Sequence, residues 1–110
     1  SDATLGAGTT AYSTSNEITN SSGTAYTAGG ATLTSVTPTS SSTTALCDFS
    51  DVSYTSASFT ANGALIYNDS ASGDPAVCAI AFGADKTVTS GTFTIQFPAA
   101  AATTAIIRLA

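Results

Sequence analysis

Two apolar runs joined by a turn constrain this chain more than any other feature. Ser58-Phe-Thr-Ala-Asn-Gly-Ala-Leu-Ile-Tyr-Asn-Asp69 leads into Ser70–Asp74, and Pro75-Ala-Val-Cys-Ala-Ile-Ala-Phe82 follows. Each run is about a strand in length, and Ser, Gly, Asp and Pro separate them, which is a hairpin pattern. Leu65-Ile66-Tyr67 and Val77–Phe82 are continuous apolar stretches, the pattern of strands covered on both faces. This hairpin is the expected centre of the core.

The clearest alternation lies further on. In Thr92-Phe-Thr-Ile-Gln-Phe97, Phe93, Ile95 and Phe97 share one face, while Thr92, Thr94 and Gln96 share the other. Pro98 stops that strand, and Gly83–Thr87 reads as the loop before it. Ala99–Ala102 reads as a loop or a single helical turn, and Ala105–Ala110 as the last strand. Upstream, Thr24–Gly30 reads as a strand closed by a Gly-Gly turn. Ala31–Thr37 reads as a strand ended by Pro38, and Thr43–Phe49 as its return after a loop at Thr39–Ser42. Asp48–Tyr54 leads by a turn or edge segment into the central hairpin.

Residues 1–22 are polar and rich in Gly, Ser and Thr, with Ala11-Tyr12 and Glu17-Ile18 as anchors. They read as an extended arm or long loop, with a short strand near Thr10–Ser13. Residues 23–110 then form a single domain. About seven short strands at roughly ten-residue spacing predict an all-β fold, an antiparallel β-sandwich of Ig-like or jelly-roll-like type. Ser and Thr supply about a third of the residues, and β-branched Thr suits strands. Much of the 43% hydrophobic content is Ala, so the core is expected to be thin and to gain from burial between subunits.

Charge narrows the function. The net charge is −5, and Lys86 and Arg108 are the only basic residues. Neutralising phosphates takes several Lys or Arg on one surface, so nucleic acid is excluded as a partner, and anionic membranes on the same ground. No run approaches the roughly 18 apolar residues of a membrane-spanning helix. The chain starts at Ser1 without an initiator Met or a signal peptide, which reads as processing or as part of a longer product.

Chemistry is sparse. With no His, neither a Ser-His-Asp nor a Cys-His arrangement can form. Lys86 beside Asp85 reads as solvated surface. Asp48 and Asp51 lie three apart, and Asp69, Asp74 and Asp85 fall in loops; no spacing selects a pair for glycoside hydrolysis. Asp69 with Asp74, or Asp48 with Asp51, are candidate Ca²⁺ ligands, weighed against ordinary turn residues that bond local backbone. Gly29-Gly30 and Gly6/Gly8 lack the Lys and helix of a phosphate loop. Asn20-Ser-Ser22 and Asn68-Asp-Ser70 match the glycosylation sequon, as chance allows in so Ser-rich a chain. Cys47 and Cys78 leave two readings open, a pair of buried free thiols or a cross-strand disulfide; without His they make no zinc site. Arg108 is either a strand-end side chain reaching solvent along its stem or half of an ion pair across an oligomer interface. No catalytic, cofactor-binding or metal residue is assigned, and the chain is read as not an enzyme.

Taken in order, Thr24-Ala-Tyr-Thr-Ala-Gly-Gly30, Gly63-Ala-Leu-Ile-Tyr-Asn68, Phe82-Gly-Ala-Asp-Lys86, Gly91-Thr-Phe-Thr-Ile-Gln-Phe-Pro98 and Ala105-Ile-Ile-Arg-Leu109 resemble a family of small virion-associated proteins of tailed bacteriophages. The resemblance spans nearly the whole chain. It implies a structural role on the particle, as a decoration or cement protein on the outside of the head, with the major capsid protein or other virion proteins and further copies of itself as partners. Family members carry an additional N-terminal segment with its own strand, and apolar residues where this chain has its two Cys. That second departure favours the buried-thiol reading. The alternative is an adhesin-like or carbohydrate-binding domain on a tail fibre, for which Tyr12, Tyr26, Tyr54 and Tyr67 are the candidate aromatics, with Tyr67 expected in the core. A subunit of an extracellular filament is the third reading.

Overall fold

A computed structural model describes residues 5, 6, 8–19 and 25–109. The sequon at Asn20–Ser22, the first residues of the arm, Thr24 at the head of an expected strand, and Ala110 lie outside the described residues.

The fold is all-β and antiparallel, with five strands in two sheets, no helix among the described residues and no closed barrel. β1 (Ser35–Ser41), β2 (Thr44–Phe49) and β5 (Ile107–Leu109) form one sheet in the order β1-β2-β5. β3 (Val52–Tyr67) and β4 (Ala76–Ile95) form the other, a ribbon of two long strands. The predicted central hairpin is present: Tyr67 pairs with Ala76 and Ile66 with Cys78 across the turn at Asn68–Asp74.

Among the described residues five strands stand where seven are expected, and the reasons are local. The expected strands at Pro75–Phe82 and Thr92–Phe97 both fall on β4, which begins at Ala76 and ends at Ile95, and Gly83–Thr87 is no loop between them. Ala61 pairs with Lys86 and Gly63 with Ala81, so Phe82, Gly83, Ala84 and Asp85 bulge opposite the single residue Asn62. Gly83 carries the bulge at φ +79°, a conformation that costs glycine little. Further shifts near Ala57 place Ser56 and Ser90 at φ 53° and 47°, and the Ser90 N–H donates to Ser58 Oγ at 2.9 Å. Residues 25–30 are not a strand, because positive φ at Ala25, Gly29 and Gly30 takes the backbone out of the β region.

Pro38 does not end its strand. It sits inside β1, an exposed edge strand, where the register slips between Val36 and Thr39. An edge with a bulge is where a ladder tolerates a residue without an N–H. At the other end, β4 stops at Ile95, before Pro98. Residues 100–104 make turns, with the Ala105 N–H donating to Ala101 O at 3.0 Å.

The arm lies on its own hairpin. Ala11 bridges Pro75; the Tyr12 N–H donates to Asp74 O and the Ala76 N–H to Thr10 O, both at 2.9 Å.

The core is thin, as the Ala content implied. Its buried apolar residues are Leu46, Ala57, Ala61, Ile66 and Ala105, and no large side chain among the described residues is fully enclosed. Phe59, Phe82, Phe93 and Phe97 are each half-buried. The Cα radius of gyration is 14.8 Å, against about 13 Å for a compact chain of this length.

Candidate functional site

Glu17 is the hub that joins Tyr12, Tyr26 and Gly29, the groups through which the N-terminal part of the chain meets the ribbon. Its Oε1 accepts hydrogen bonds from the Gly29 N–H at 2.6 Å and from the Tyr26 hydroxyl at 2.9 Å. Its Oε2 accepts one from the Tyr12 hydroxyl at 2.7 Å. The turn closed by the Gly30 N–H on Thr27 O at 2.9 Å, with Gly29 at φ +88°, aims that amide at the carboxylate. The carbonyl of Gly29 in turn accepts the Tyr67 hydroxyl at 2.7 Å. Both groups of one peptide-bonded glycine are thus spent on joining the segment to the end of β3.

Around the hub the four tyrosines and three of the phenylalanines meet. Tyr12 stacks on Tyr67 with centroids 4.6 Å apart. Tyr26 tilts against Tyr54 at 5.6 Å, both reach the edge of Phe59, and Phe59 leans on Phe93 at 4.8 Å. Phe82 continues the row at 6.2 Å from Phe93. Such pairs contribute about 0.5–1.5 kcal/mol each beyond their burial.

The hydrogen bonds set the ionisation of the cluster. Burial opposes the charge on Glu17, but the bonds from Tyr12, the Gly29 N–H and Tyr26 outweigh it and hold the carboxyl below its ordinary value. The bond to Glu17, helped by burial, pushes Tyr12 up to about 12. Burial, then the bond to Glu17, lifts Tyr26 further. Burial raises Tyr54 against an opposing backbone hydrogen bond at Ala31. Burial raises Tyr67, with the charges of Asp69, Asp74 and Glu17 adding to it.

This cluster forms one wall of a groove of about 750 Å³. Its floor is one face of the ribbon, including Phe93 and Ile95, continued just past the end of β4 by Phe97, the residues whose alternation is plain in the sequence. A sealed, empty void of that size would cost about 18 kcal/mol at ~24 cal/mol per Å³. That exceeds the roughly 5–15 kcal/mol that hold a domain folded. The space is therefore an open groove, consistent with aromatics that are only half-covered.

The acidic candidates do not converge. Asp48 is buried at 3% exposure, with one oxygen accepting the Phe49 N–H at 2.8 Å and Oδ2 without a hydrogen-bond partner. Asp51 accepts the Phe97 N–H at 2.8 Å. Asp69 and Asp74 flank the hairpin turn, and Asp85 is exposed in the β4 bulge. Among the described residues no three His, Cys, Asp or Glu side chains gather as metal ligands. Lys86 is exposed on β4, and Arg108 is exposed, with a 3.4 Å bond to Ala102 O.

Both cysteines are free thiols, and the expected burial of Cys47 is corrected. In β2 it is Leu46 and Asp48 that turn inward, which leaves Cys47 on the outer, exposed face. Cys78 is half-buried, and burial pushes its thiol up. Tyr67, expected in the core, is half-buried at the groove. The sequence offers the tyrosines as candidates, and Glu17 only as an anchor of the arm. Its one signal is that Glu17 is the only Glu in the chain, set between Tyr12 and Tyr26.

No family model matches this sequence, and searches of curated proteins and of solved structures return no match.

Proposed function

We propose that this chain is a non-enzymatic structural protein of a tailed-phage virion that decorates or cements the outer surface of the capsid. One observation carries the reading. The aromatic face of the ribbon is left half-covered along an open groove, as in a subunit that completes its core against a neighbour. Marginal cores of small domains gain stability from such association. In this reading the two sheets are the layers of an open β-sandwich with an extended N-terminal arm. The partners are the major capsid protein or other virion proteins and further copies of this chain, with neither nucleic acid nor membrane involved. The ordered phrases from Thr24–Gly30 to Ala105–Leu109 support the particle setting.

A second reading rests on the gathering of Tyr12, Tyr26, Tyr54 and Tyr67 around one groove. Convergent tyrosines with a carboxylate also suit a binding domain on a tail or fibre. Cryo-electron microscopy of the native assembly separates the two. Density for this chain on the outside of an icosahedral shell supports decoration; density along a tail, fibre or filament overturns it.

A further inference from the structure

The two strands of the ribbon meet the groove differently. Every residue of β3 from Phe59 to Tyr67 lines it, whereas β4 contributes separated residues such as Val77, Ile80, Phe82 and Phe93. Side chains alternate between faces along a strand. A wall made of nine consecutive residues therefore includes the backbone edge of β3, not one face alone. Among the described residues no other strand pairs with β3, and β4 is met only at its first residue, Ala76, beside the Ala11–Pro75 bridge. A two-stranded ribbon is marginal by itself and gains most from a third strand.

We propose that the groove receives an extended strand of another polypeptide, which adds to the edge of β3 and lays alternate apolar side chains on the ribbon's aromatic floor. Strand addition of this kind takes affinity from main-chain hydrogen bonds and specificity from alternate side-chain pockets. Charge selects the occupant. Glu17 and Asp69 are the charged residues lining the groove, and no Lys or Arg lines it. The incoming segment therefore carries Lys or Arg beside its apolar positions. A second copy of this chain fits poorly, since it brings a further net charge of −5 and its only basic residues, Lys86 and Arg108, lie within β4 and β5.

This inference deepens the interface reading and rests on the groove being an interface, though not on where the particle carries it. The probe is a synthetic peptide of about eight residues, an ordinary strand length, alternating Val and Thr with Lys at each end. Its controls are a version of the same composition in scrambled order and a version with Glu at each end. Calorimetry measures affinity, and hydrogen exchange reads the β3 amides.

The expected result is binding of the alternating Lys peptide about tenfold or more tighter than either control, a difference of roughly 1.4 kcal/mol. It should slow exchange at amides between Phe59 and Tyr67. Asp69→Asn, in an exposed turn, should reduce the preference for Lys over Glu ends several-fold without loss of fold. Equal affinity for ordered and scrambled peptides, no binding, protection elsewhere, or self-association that excludes the peptide overturns the proposal. Capsid density for the chain without peptide binding sinks this inference alone; peptide binding without capsid density sinks the decoration reading alone.

Discussion

Tyr12 lies flat on Tyr67, with ring centroids 4.6 Å apart and planes 13° from parallel. One phenol belongs to the arm and the other ends β3. Their hydroxyls diverge to Glu17 and to the Gly29 carbonyl, and those two acceptors are themselves joined by the Gly29 N–H. Stack and hydrogen bonds close a ring that holds Tyr12, Glu17 and Gly29 on the ribbon.

Removing the carboxylate opens that ring. Glu17→Ala leaves two hydroxyls and an amide without their acceptor, in a half-buried place that water reaches only in part. The expected loss is about 2 kcal/mol, within the range for hydrogen bonds to a charged group. In a domain of this size that lowers the thermal midpoint by several degrees. Glu17→Gln keeps one acceptor oxygen and should lose less. Urea unfolding of the three proteins checks the order, and an unchanged midpoint for Glu17→Ala contradicts the hub.

The same cluster predicts a pH window with two limbs. Glu17 is held below its ordinary value in the folded state. Its contribution is therefore present above the ordinary carboxylate pKa of about 4.3 and is lost as pH falls through the lowered folded value. Tyr12 is raised to about 12, and its contribution is present below the ordinary phenol pKa of about 10. It is lost as pH rises through the folded value. Denaturant stability measured across pH should fall at both ends, and Glu17→Gln should flatten the acid limb. An acid limb identical in that variant assigns it to other carboxylates.

The hairpin turn and the face of Phe93, Ile95 and Phe97 were legible because period-two burial and Gly, Asp and Pro at the turn act locally. Between Gly83 and Thr87 the sequence reads as a loop for a physical reason. A bulged ribbon stretch open to solvent carries the same small, polar residues as a loop. Tyr26 reads as part of a strand because its neighbours look like one, while its hydroxyl is committed to Glu17. The burial of Asp48 beside Leu46 left no trace in residue type, since a carboxylate in a turn-like context reads as exposed. The convergence of Tyr12, Tyr26, Tyr54 and Tyr67 depends on chain reversals that no local pattern encodes.

The cysteines should differ in reactivity. Cys47 is exposed on the outer face of β2, whereas Cys78 is half-buried and its thiol is pushed up by that burial. The thiolate is the nucleophile, so both access and ionisation slow Cys78. Iodoacetamide under native conditions, followed by mass spectrometry, should label Cys47 first and Cys78 at a rate about tenfold lower or less. Equal rates that persist below denaturing conditions contradict this placement of β2.

Gly63 tests the ribbon itself. A Cβ built there lies 2.9 Å from the Ile80 carbonyl oxygen and 3.2 Å from Leu5 Cδ1. The leucine end can swing away, but the carbonyl belongs to the paired strand, one residue from the Gly63–Ala81 pair where the register resumes after the β4 bulge. Gly63→Ala must therefore separate the strands where the hairpin is most apolar, and the expected cost is about 1–3 kcal/mol, the range for overpacking. Gly91→Ala is the control in the same ribbon. Its nearest neighbours are Val88 Cγ2 at 3.4 Å and Thr89 O at 3.6 Å, near ordinary contact, so it should change stability by less than about 1 kcal/mol. Thermal and urea midpoints of both variants decide the matter. If Gly63→Ala is as stable as Gly91→Ala, the strands do not approach at Gly63 and Ile80 as described.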